Sequence, residues 1–250
     1  MGLKRNARFI APLLFTLSAI ALPACFGEKT AHGQDEALTV AEQATSETWK
    51  SLGPHTTRAV TLTKRWLTDG PPEESDLTVE IRWQDDQTFV WRRVRDGKIR
   101  QEILLSEGAG WKRSGKRPFQ LVNTPDTYLR SLSENWSVWR EAMGPFLGRV
   151  TMSQDGDGIV EGRPSWKYLL SLTPQEQEPI STRTELKTLS GTLWIDKATA
   201  IRLAADIRGS WTTFGRQPLH HEMSFKLERT AFAEQQGVVP PFTAGDEPTK

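Results

Sequence analysis

The sequence predicts an α+β domain, in which one large antiparallel sheet is the framework and helices cover one side of it. Apolar and polar residues alternate with a period of two along many short segments, a pattern typical of half-buried strands. Turn dipeptides separate these segments, and two other segments have apolar residues at helical spacing. A twisted antiparallel sheet of about ten strands tends to curl towards a barrel. We therefore expect a single domain whose inserted helix caps the concave side.

The stretch from Ser75 to Ser114 contains the clearest meander. Every second residue from Leu77 to Trp83 is apolar, and aromatic and β-branched residues resume from Thr88 to Arg95. Asp96-Gly97 follows, and this dipeptide favours a type I′ hairpin turn because both residues tolerate positive φ. The glycines at 108 and 110 mark another turn. This stretch predicts three or four antiparallel strands.

Strand-like composition continues on both sides of the meander. The sequence Asp155-Gly156-Asp157-Gly158 predicts a hairpin turn between two short strands. Asp196-Lys197-Ala198-Thr199 predicts a second turn between two longer ones. The remaining predicted strands are 55–68, 149–153, 159–161, 166–172, 189–196, 200–211 and 221–227.

Two segments predict helices. Apolar residues recur at helical spacing from Asp35 to Leu52, and Gly53-Pro54 is a stop signal. A second helix is predicted to begin at Thr124, as N-cap before Pro125, and to run to Ala142. Its apolar stripe includes two tryptophans, Trp136 and Trp139, which we expect to lie against the sheet.

The N-terminus has the features of a lipoprotein export signal. Lys4, Arg5 and Arg8 form a basic region, and an apolar stretch of 15 residues follows from Phe9 to Pro23. That stretch is shorter than the roughly 20 residues of a membrane-spanning helix and fits a secretory signal. The segment Leu22-Pro23-Ala24-Cys25 resembles a bacterial lipobox, which would make Cys25 the acylated first residue of the mature chain. The alternative is an ordinary signal peptide with a cysteine near its cleavage site.

Acylation would anchor the domain without a spanning helix, because more than one acyl chain gives stable membrane attachment. Cys25 is the only cysteine, so no disulfide can form within the chain. The resemblance to lipoproteins also implies the outer membrane, because Phe26 rather than Asp follows the cysteine. We therefore expect a signal peptide at 1–24, a tether at 25–34, one domain at 35–232 and a disordered tail at 233–250.

Composition excludes some classes of function. Charged residues make up 25% of the 250 positions, which is ordinary for a globular protein, whereas ten tryptophans are unusual. Without residues 1–24 the chain has 29 basic and 31 acidic residues, a net charge of −2. A body so close to neutral argues against bulk electrostatic binding of nucleic acid.

No motif recommends catalysis or a cofactor. Gly110 to Lys116 has the spacing of a phosphate-binding loop, but Arg117 replaces the Ser or Thr that would hold magnesium, and no helix start follows. His220 and His221 are adjacent in a predicted strand, so they point to opposite faces and cannot easily share a metal. There is no Gly-x-Ser-x-Gly elbow. We expect no metal, no cofactor and no enzymatic activity.

Basic residues are concentrated on the meander. The first interpretation is a solvated strand face; the second is a rim that attracts anionic lipid headgroups or an acidic partner. These residues are Arg92, Arg93, Arg95, Lys112, Arg113, Lys116 and Arg117.

Two local segments resemble a known family. Gly191 to Arg202 is similar to the strand–turn–strand segment G-x-(L/V)-W-(I/V)-D-x-x-T of the LolA/LolB superfamily of lipoprotein carriers. Gly162 to Tyr168 is similar to the run before the preceding strand in that group. The order of predicted elements across residues 35–230 also agrees. The group includes mycobacterial lipid-binding lipoproteins and a sensor domain that binds an anti-sigma factor.

The resemblance implies an unclosed half-barrel whose helices cover the concave face and enclose an apolar cavity for acyl chains. No catalytic residue carries over, because the family binds rather than catalyses. The sequence leaves open which sheet face is concave. The candidate cavity residues are Val79, Ile81, Trp83, Phe89, Trp91, Trp136, Trp139, Tyr168, Leu170, Ile195, Leu203 and Phe225.

Two functions follow as hypotheses. The first is a cell-envelope lipoprotein that binds a lipid or the acyl chains of a lipoprotein, as a carrier or chaperone facing the periplasm. The second is a membrane-tethered protein-interaction or sensor module with a dry interior and no lipid cargo. The expected partners are a lipid or lipidated protein, the membrane surface through Cys25, and an envelope protein, but no nucleic acid.

Overall fold

The computed structural model describes residues 51–85, 87–106, 109–122, 138–173 and 184–233. These residues form a sheet of eleven antiparallel strands, one more than the sequence suggested. The strands are β1 (His55–Leu67), β2 (Glu73–Asp85), β3 (Thr88–Arg95), β4 (Lys98–Ser106), β5 (Ala109–Ser114), β6 (Gln120–Val122), β7 (Val150–Val160), β8 (Arg163–Leu172), β9 (Thr184–Asp196), β10 (Arg202–Thr213) and β11 (Leu219–Thr230).

The sheet consists of two meanders joined at its centre. The strand order is β6-β5-β4-β3-β2-β1-β11-β10-β9-β8-β7, so every pair of neighbours except β1 and β11 is consecutive in the chain. β1 and β11 pair along almost their whole length, from Thr56 opposite Thr230 to Leu67 opposite Leu219. Within the described residues β6 and β7 each pair with one strand only. The sheet is therefore unclosed, as predicted.

The turn predicted inside the first meander is confirmed. Asp96 and Gly97 connect β3 to β4 with φ values of 50° and 69°. Positive φ at both central positions is the type I′ geometry, whose twist matches that of the flanking strands.

The hairpin turn predicted at Asp155-Gly156-Asp157-Gly158 is wrong. These residues stay within β7, where the register against β8 shifts between Gln154 and Asp157. Two residues of β7 stand opposite one of β8 there, and Gly156 has a φ of 101°, so the one extra residue forms a bulge and the chain does not reverse. The true turn lies at Glu161-Gly162, with φ values of 48° and 77°.

The motif that resembles the lipoprotein carriers builds the turn between β9 and β10. The buried Asp196 carboxylate accepts hydrogen bonds from the Thr199 hydroxyl (2.6 Å) and backbone N–H (3.0 Å). Arg163 on β8 donates to both carboxylate oxygens, at 3.1 and 2.9 Å. Burial alone would raise the pKa of Asp196, but the hydrogen bonds from Arg163 and Thr199 outweigh it and lower the pKa. The motif is thus structural here.

Helix α1 (Val138–Met143) and a 3-10 helix (Gly144–Phe146) lie in the connection between β6 and β7. α1 ends at the predicted Gly144-Pro145, although the chain continues into one tighter turn. The predicted start at Thr124 lies outside the described residues. So does the predicted helix from Asp35, except for Ser51 and Leu52, which are helical. The tether and the tail beyond Ala233 also lie outside them.

The polar face of the first meander carries an alternating ladder of charged residues. Glu80 lies 3.9 Å from Arg58 on β1 and 3.7 Å from Arg92 on β3. Arg92 and Arg113 both bind Glu102 of β4, at 2.7 and 2.5 Å. Each partner stands opposite the next in the strand register, so the ladder crosses five strands.

Candidate functional site

One face of the sheet is continuously apolar. A row of directly opposed residues crosses seven strands of it, and all but its threonine and glycine are apolar side chains. The row comprises Leu77, Thr61, Phe225, Ile207, Gly191, Leu170 and Met152. Because strand residues alternate between faces, the period-two pattern in the sequence produces this surface directly. Four residues of this row, Phe225, Ile207, Leu170 and Met152, belong to a hydrophobic cluster that also includes the aromatic residues of β2 and β3.

α1 and the 3-10 helix lie on this apolar face. The Trp139 ring meets the Phe225 ring edge to face, with centroids 5.8 Å apart. Phe146 meets Trp211 in the same way at 5.5 Å. Gly209 makes room for Phe146, because a Cβ atom there would lie 2.5 Å from the phenylalanine Cζ.

Methionines are concentrated in the same cluster. The chain has four methionines, and the three beyond Met1 are all buried there: Met143, Met152 and Met223. An unbranched, polarizable side chain adapts its shape more easily than leucine or valine. The cluster thus contains three side chains whose shape adapts easily.

The structure brings together ten of the twelve cavity residues predicted from the sequence. Leu203 instead packs with Leu52 and Ile201 in a separate small cluster, next to the register shift between Arg202 and Ala204. Trp136 and the acylation site Cys25 lie outside the described residues. The ten that share the cluster on the apolar face are Val79, Ile81, Trp83, Phe89, Trp91, Trp139, Tyr168, Leu170, Ile195 and Phe225.

Two polar atoms on this face were not singled out by the sequence reasoning. The Trp91 indole nitrogen and the Thr61 hydroxyl oxygen are buried and have no hydrogen-bond partner among the described residues. Both side chains are more than nine-tenths buried. Sequence alone gives no signal for this, because tryptophan and threonine are common strand residues whatever their partners.

A polar cluster lies at one end of the apolar face. His55 donates from Nδ1 to the Gly53 carbonyl (2.8 Å), so its Nε2 is the acceptor for Arg229 Nη1 at 3.3 Å. Arg229 also donates to the Thr57 hydroxyl (2.6 Å) and to the Arg202 carbonyl (2.7 Å). Burial, and then the charge of Arg229, lower the pKa of His55 to about 3. Burial and Arg202 lower the pKa of Arg229 to about 9.

The side chains of His220 and His221 lie on opposite faces of the sheet. His221 stacks on Trp211 at 4.8 Å, whereas His220 stacks on Trp66 at 5.6 Å, on the opposite face of the sheet. Within the described parts of the chain, no three His, Cys, Asp or Glu side chains are placed to hold a metal ion.

The basic residues of the first meander do not form one patch. Arg92 and Arg113 bind Glu102 on the polar face. Arg93 and Arg95 are on the apolar side, where Glu141 of α1 pairs with them at 2.6 and 3.7 Å. The cationic rim considered from the sequence is therefore divided between the two faces, and four of its seven residues are in ion pairs.

A groove of about 900 Å³ lies across the centre of the sheet, mostly lined by residues of the polar face. Lys64 and Glu74 form an ion pair in it at 3.4 Å. Arg208 and Glu222 add charges of both signs, and Leu62 is its exposed apolar side chain. No sequence pattern predicted this groove, because its shape depends on how neighbouring strands twist.

Among the described residues, no helix is long and apolar enough to cross a bilayer. No protein-family model matches the chain, and no curated protein matches it. Solved structures do match it, and they include members of the LolA superfamily.

Three of these structures show how distant the likeness is. LprF from Mycobacterium bovis is 11% identical, with 82% of this chain and 97% of that chain covered and a TM-score of 0.31. The lipoprotein LppX from Mycobacterium tuberculosis is 14% identical, with 82% and 100% covered and a TM-score of 0.30. The LolA superfamily protein NE2245 from Nitrosomonas europaea is 9% identical, with 80% and 93% covered and a TM-score of 0.21.

Proposed function

We propose that this chain is a cell-envelope lipoprotein that binds a lipid, or the acyl chains of a lipoprotein, on the apolar face of its sheet. The observation that carries the proposal is the continuous apolar face of an unclosed sheet, which crosses seven strands. An acyl chain can replace side-chain contacts on such a surface at little cost in buried area.

The methionines support a binding role over a purely structural one. A core that only needs to be stable is best filled by residues with few rotamers, such as leucine and isoleucine. Met143, Met152 and Met223 instead give this face side chains that can move aside for a guest and close again after it leaves.

The lipobox-like segment supports the location. Acylation at Cys25 would hold the domain at a membrane surface, where both lipids and lipoproteins are available. An outer-membrane position facing the periplasm, and the absence of enzymatic activity, are parts of the same proposal.

Native mass spectrometry tests the proposal. The full chain carrying Cys25→Ser, which removes the acylation site, is purified from a bacterial host with ordinary phospholipids. We expect a complex whose added mass is that of a lipid and which is lost on denaturation. A folded protein that shows only its own mass, also after incubation with phospholipid vesicles, would contradict lipid binding.

The groove on the polar face favours the second candidate, a module that binds a protein partner. It has charged residues of both signs around an exposed leucine, which suits a polar polypeptide better than an acyl chain. On this alternative the protein is free of lipid, and Arg208→Glu weakens binding of an envelope protein that cross-links to the wild type. Binding of that protein unchanged by Arg208→Glu would exclude the groove.

A further inference from the structure

The indole N–H of Trp91 is a buried hydrogen-bond donor on the apolar face. Trp91 stands between Ile81 of β2 and Ile103 of β4 in the strand register, so apolar residues flank it on both sides. Its side chain is 5% exposed, and its Nε1 has no hydrogen-bond partner among the described residues. Buried N–H groups are nearly always paired, because an unpaired one costs its full desolvation.

Packing alone does not require this N–H. Phe89, two residues earlier on the same strand and the same face, is buried against Trp83 with ring centroids 5.5 Å apart. A phenyl ring therefore fits this part of the face. Phenylalanine at position 91 would bury a similar apolar area and leave no donor unsatisfied.

Thr61 repeats the observation on a second strand. Its side chain is 7% exposed between Leu77 and Phe225, and its hydroxyl has no partner among the residues described. Valine has the same shape and would fill that position without a buried hydroxyl. Two hydrogen-bonding groups that packing does not need thus lie on one apolar face.

The chemistry of the indole restricts what can satisfy it. An indole N–H only donates, so its partner must be an acceptor. Apolar residues flank the indole, and Arg93, the cation two residues further along the strand on this face, is already paired with Glu141 at 2.6 Å. A carboxylate or phosphate would therefore lose its hydration at Trp91 without gaining an unpaired opposite charge. A neutral carbonyl oxygen attached to hydrocarbon meets both conditions, and esters and amides of fatty acids have that structure.

We infer that Trp91 donates a hydrogen bond to the carbonyl oxygen of an ester- or amide-linked acyl chain bound on the apolar face. The inference rests on the proposed lipid-binding function and adds that the protein selects among lipids by their carbonyl groups. Acylated glycerol or acylated cysteine is bound in preference to hydrocarbon that lacks carbonyl groups. A free phospholipid and the acylated end of a lipoprotein both contain such a carbonyl.

The test compares two lipids that differ only in their carbonyls. The full chain carrying Cys25→Ser is titrated with a diacyl phosphatidylcholine and with the dialkyl ether analogue of equal chain length. We expect the ester to bind about tenfold more tightly, which is the typical net effect of one buried hydrogen bond. Trp91→Phe should remove most of that preference by weakening ester binding, with ether binding nearly unchanged.

Trp66→Phe is the matched control, because Trp66 lies on the opposite face of the sheet, where it stacks on His220. It should keep the preference for the ester. Equal binding of ester and ether by the wild type, or a preference that survives Trp91→Phe, would overturn the inference while leaving lipid binding intact. Binding of neither lipid would overturn the proposed function itself.

A third probe, a synthetic triacylated lipopeptide, separates the two sources of the carbonyl. Tighter binding of the lipopeptide than of the phospholipid, lost with Trp91→Phe, would support the inference and assign a lipoprotein as cargo. Tighter binding of the phospholipid than of the lipopeptide, again lost with Trp91→Phe, would support the inference and assign a free lipid as the ligand.

Discussion

Gly209 shows how one residue positions the cover of the apolar face. The Phe146 ring occupies the space that a side chain at 209 would need, and Leu189 is also within 3.3 Å of that position. The absence of a side chain therefore lets the 3-10 helix approach the sheet closely. The glycine matters here for space and not for its backbone freedom.

We predict that Gly209→Ala destabilises the fold by about 2 kcal/mol, because the new methyl group must displace Phe146 and overpacking costs 1–3 kcal/mol. Thermal unfolding should shift down by about 5 °C for a chain of this size. Gly144→Ala is the control, since nothing lies within 4 Å of a Cβ atom there. Equal shifts for the two variants would show that Phe146 does not occupy the space above Gly209.

His55 links acid stability to one buried side chain. Its pKa of about 3 in the folded protein lies far below the ordinary value of 6.5, so between these values only the unfolded chain binds the proton. Stability should therefore fall as the pH decreases from about 6.5 towards 3, by up to about 1.4 kcal/mol per pH unit from this group. Arg163 and Arg229 both oppose a positive charge on His55.

Urea unfolding of His55→Asn at pH 7, 6 and 5 tests this link. The variant should be less stable than the wild type at pH 7, because it loses the packing and hydrogen bonds of the imidazole. Its stability should nevertheless change less between pH 7 and pH 5. Parallel pH profiles for the two proteins would show that His55 is not the source of the acid sensitivity.

At the scale of elements, the charge ladder joins the strands of the first meander on the polar face. Its members differ in burial: the Glu102 side chain is 6% exposed and has two arginine partners, whereas Glu80 is 41% exposed and its contacts are longer. A buried carboxylate that holds two guanidinium groups contributes more than an exposed one.

We predict that Glu102→Gln costs about 2 kcal/mol, since it leaves Arg92 and Arg113 without their shared carboxylate. Glu80→Gln should cost less than about 0.5 kcal/mol, as exposed pairs do. Urea unfolding at neutral pH measures both variants. A larger effect for Glu80 would contradict the ranking by burial.

The strands show which local signals determine structure. The alternation from Leu77 to Trp83 predicted both the strand and its buried face, because a single period decides both. The glycine-rich run at 155–158 misled the prediction, since the same residues suit a turn and a bulge. The pairing of β7 with β8 determines that the run forms a bulge and not a turn. Ion pairs of Asp155 with Lys167 and of Asp157 with Lys197 stabilise the bulge.

At the scale of the whole molecule, ten of the twelve candidate cavity residues lie together in one hydrophobic cluster, and their role in binding stays a prediction. Alternation and turn signals predicted the large antiparallel sheet, and the resemblance to the lipoprotein carriers implied that it is unclosed. These signals could not predict that β1 pairs with β11, because no local pattern reports a contact between residues 172 positions apart, such as Thr57 and Arg229. The groove, and a Trp91 N–H that has no hydrogen-bond partner among the described residues, likewise depend on how distant strands meet.

The pairing of β1 with β11 affects how the exported chain folds. On the proposed export route the polypeptide emerges from its N-terminus, so β1 arrives long before the strand that completes the centre of the sheet. Until then β1 exposes a hydrogen-bonding edge, and contacts between such distant segments form slowly. The half-emerged chain is thus the form most open to aggregation and proteolysis. Substitutions that weaken β11 would consequently reduce the yield of exported protein more than they reduce the affinity of the protein that does fold.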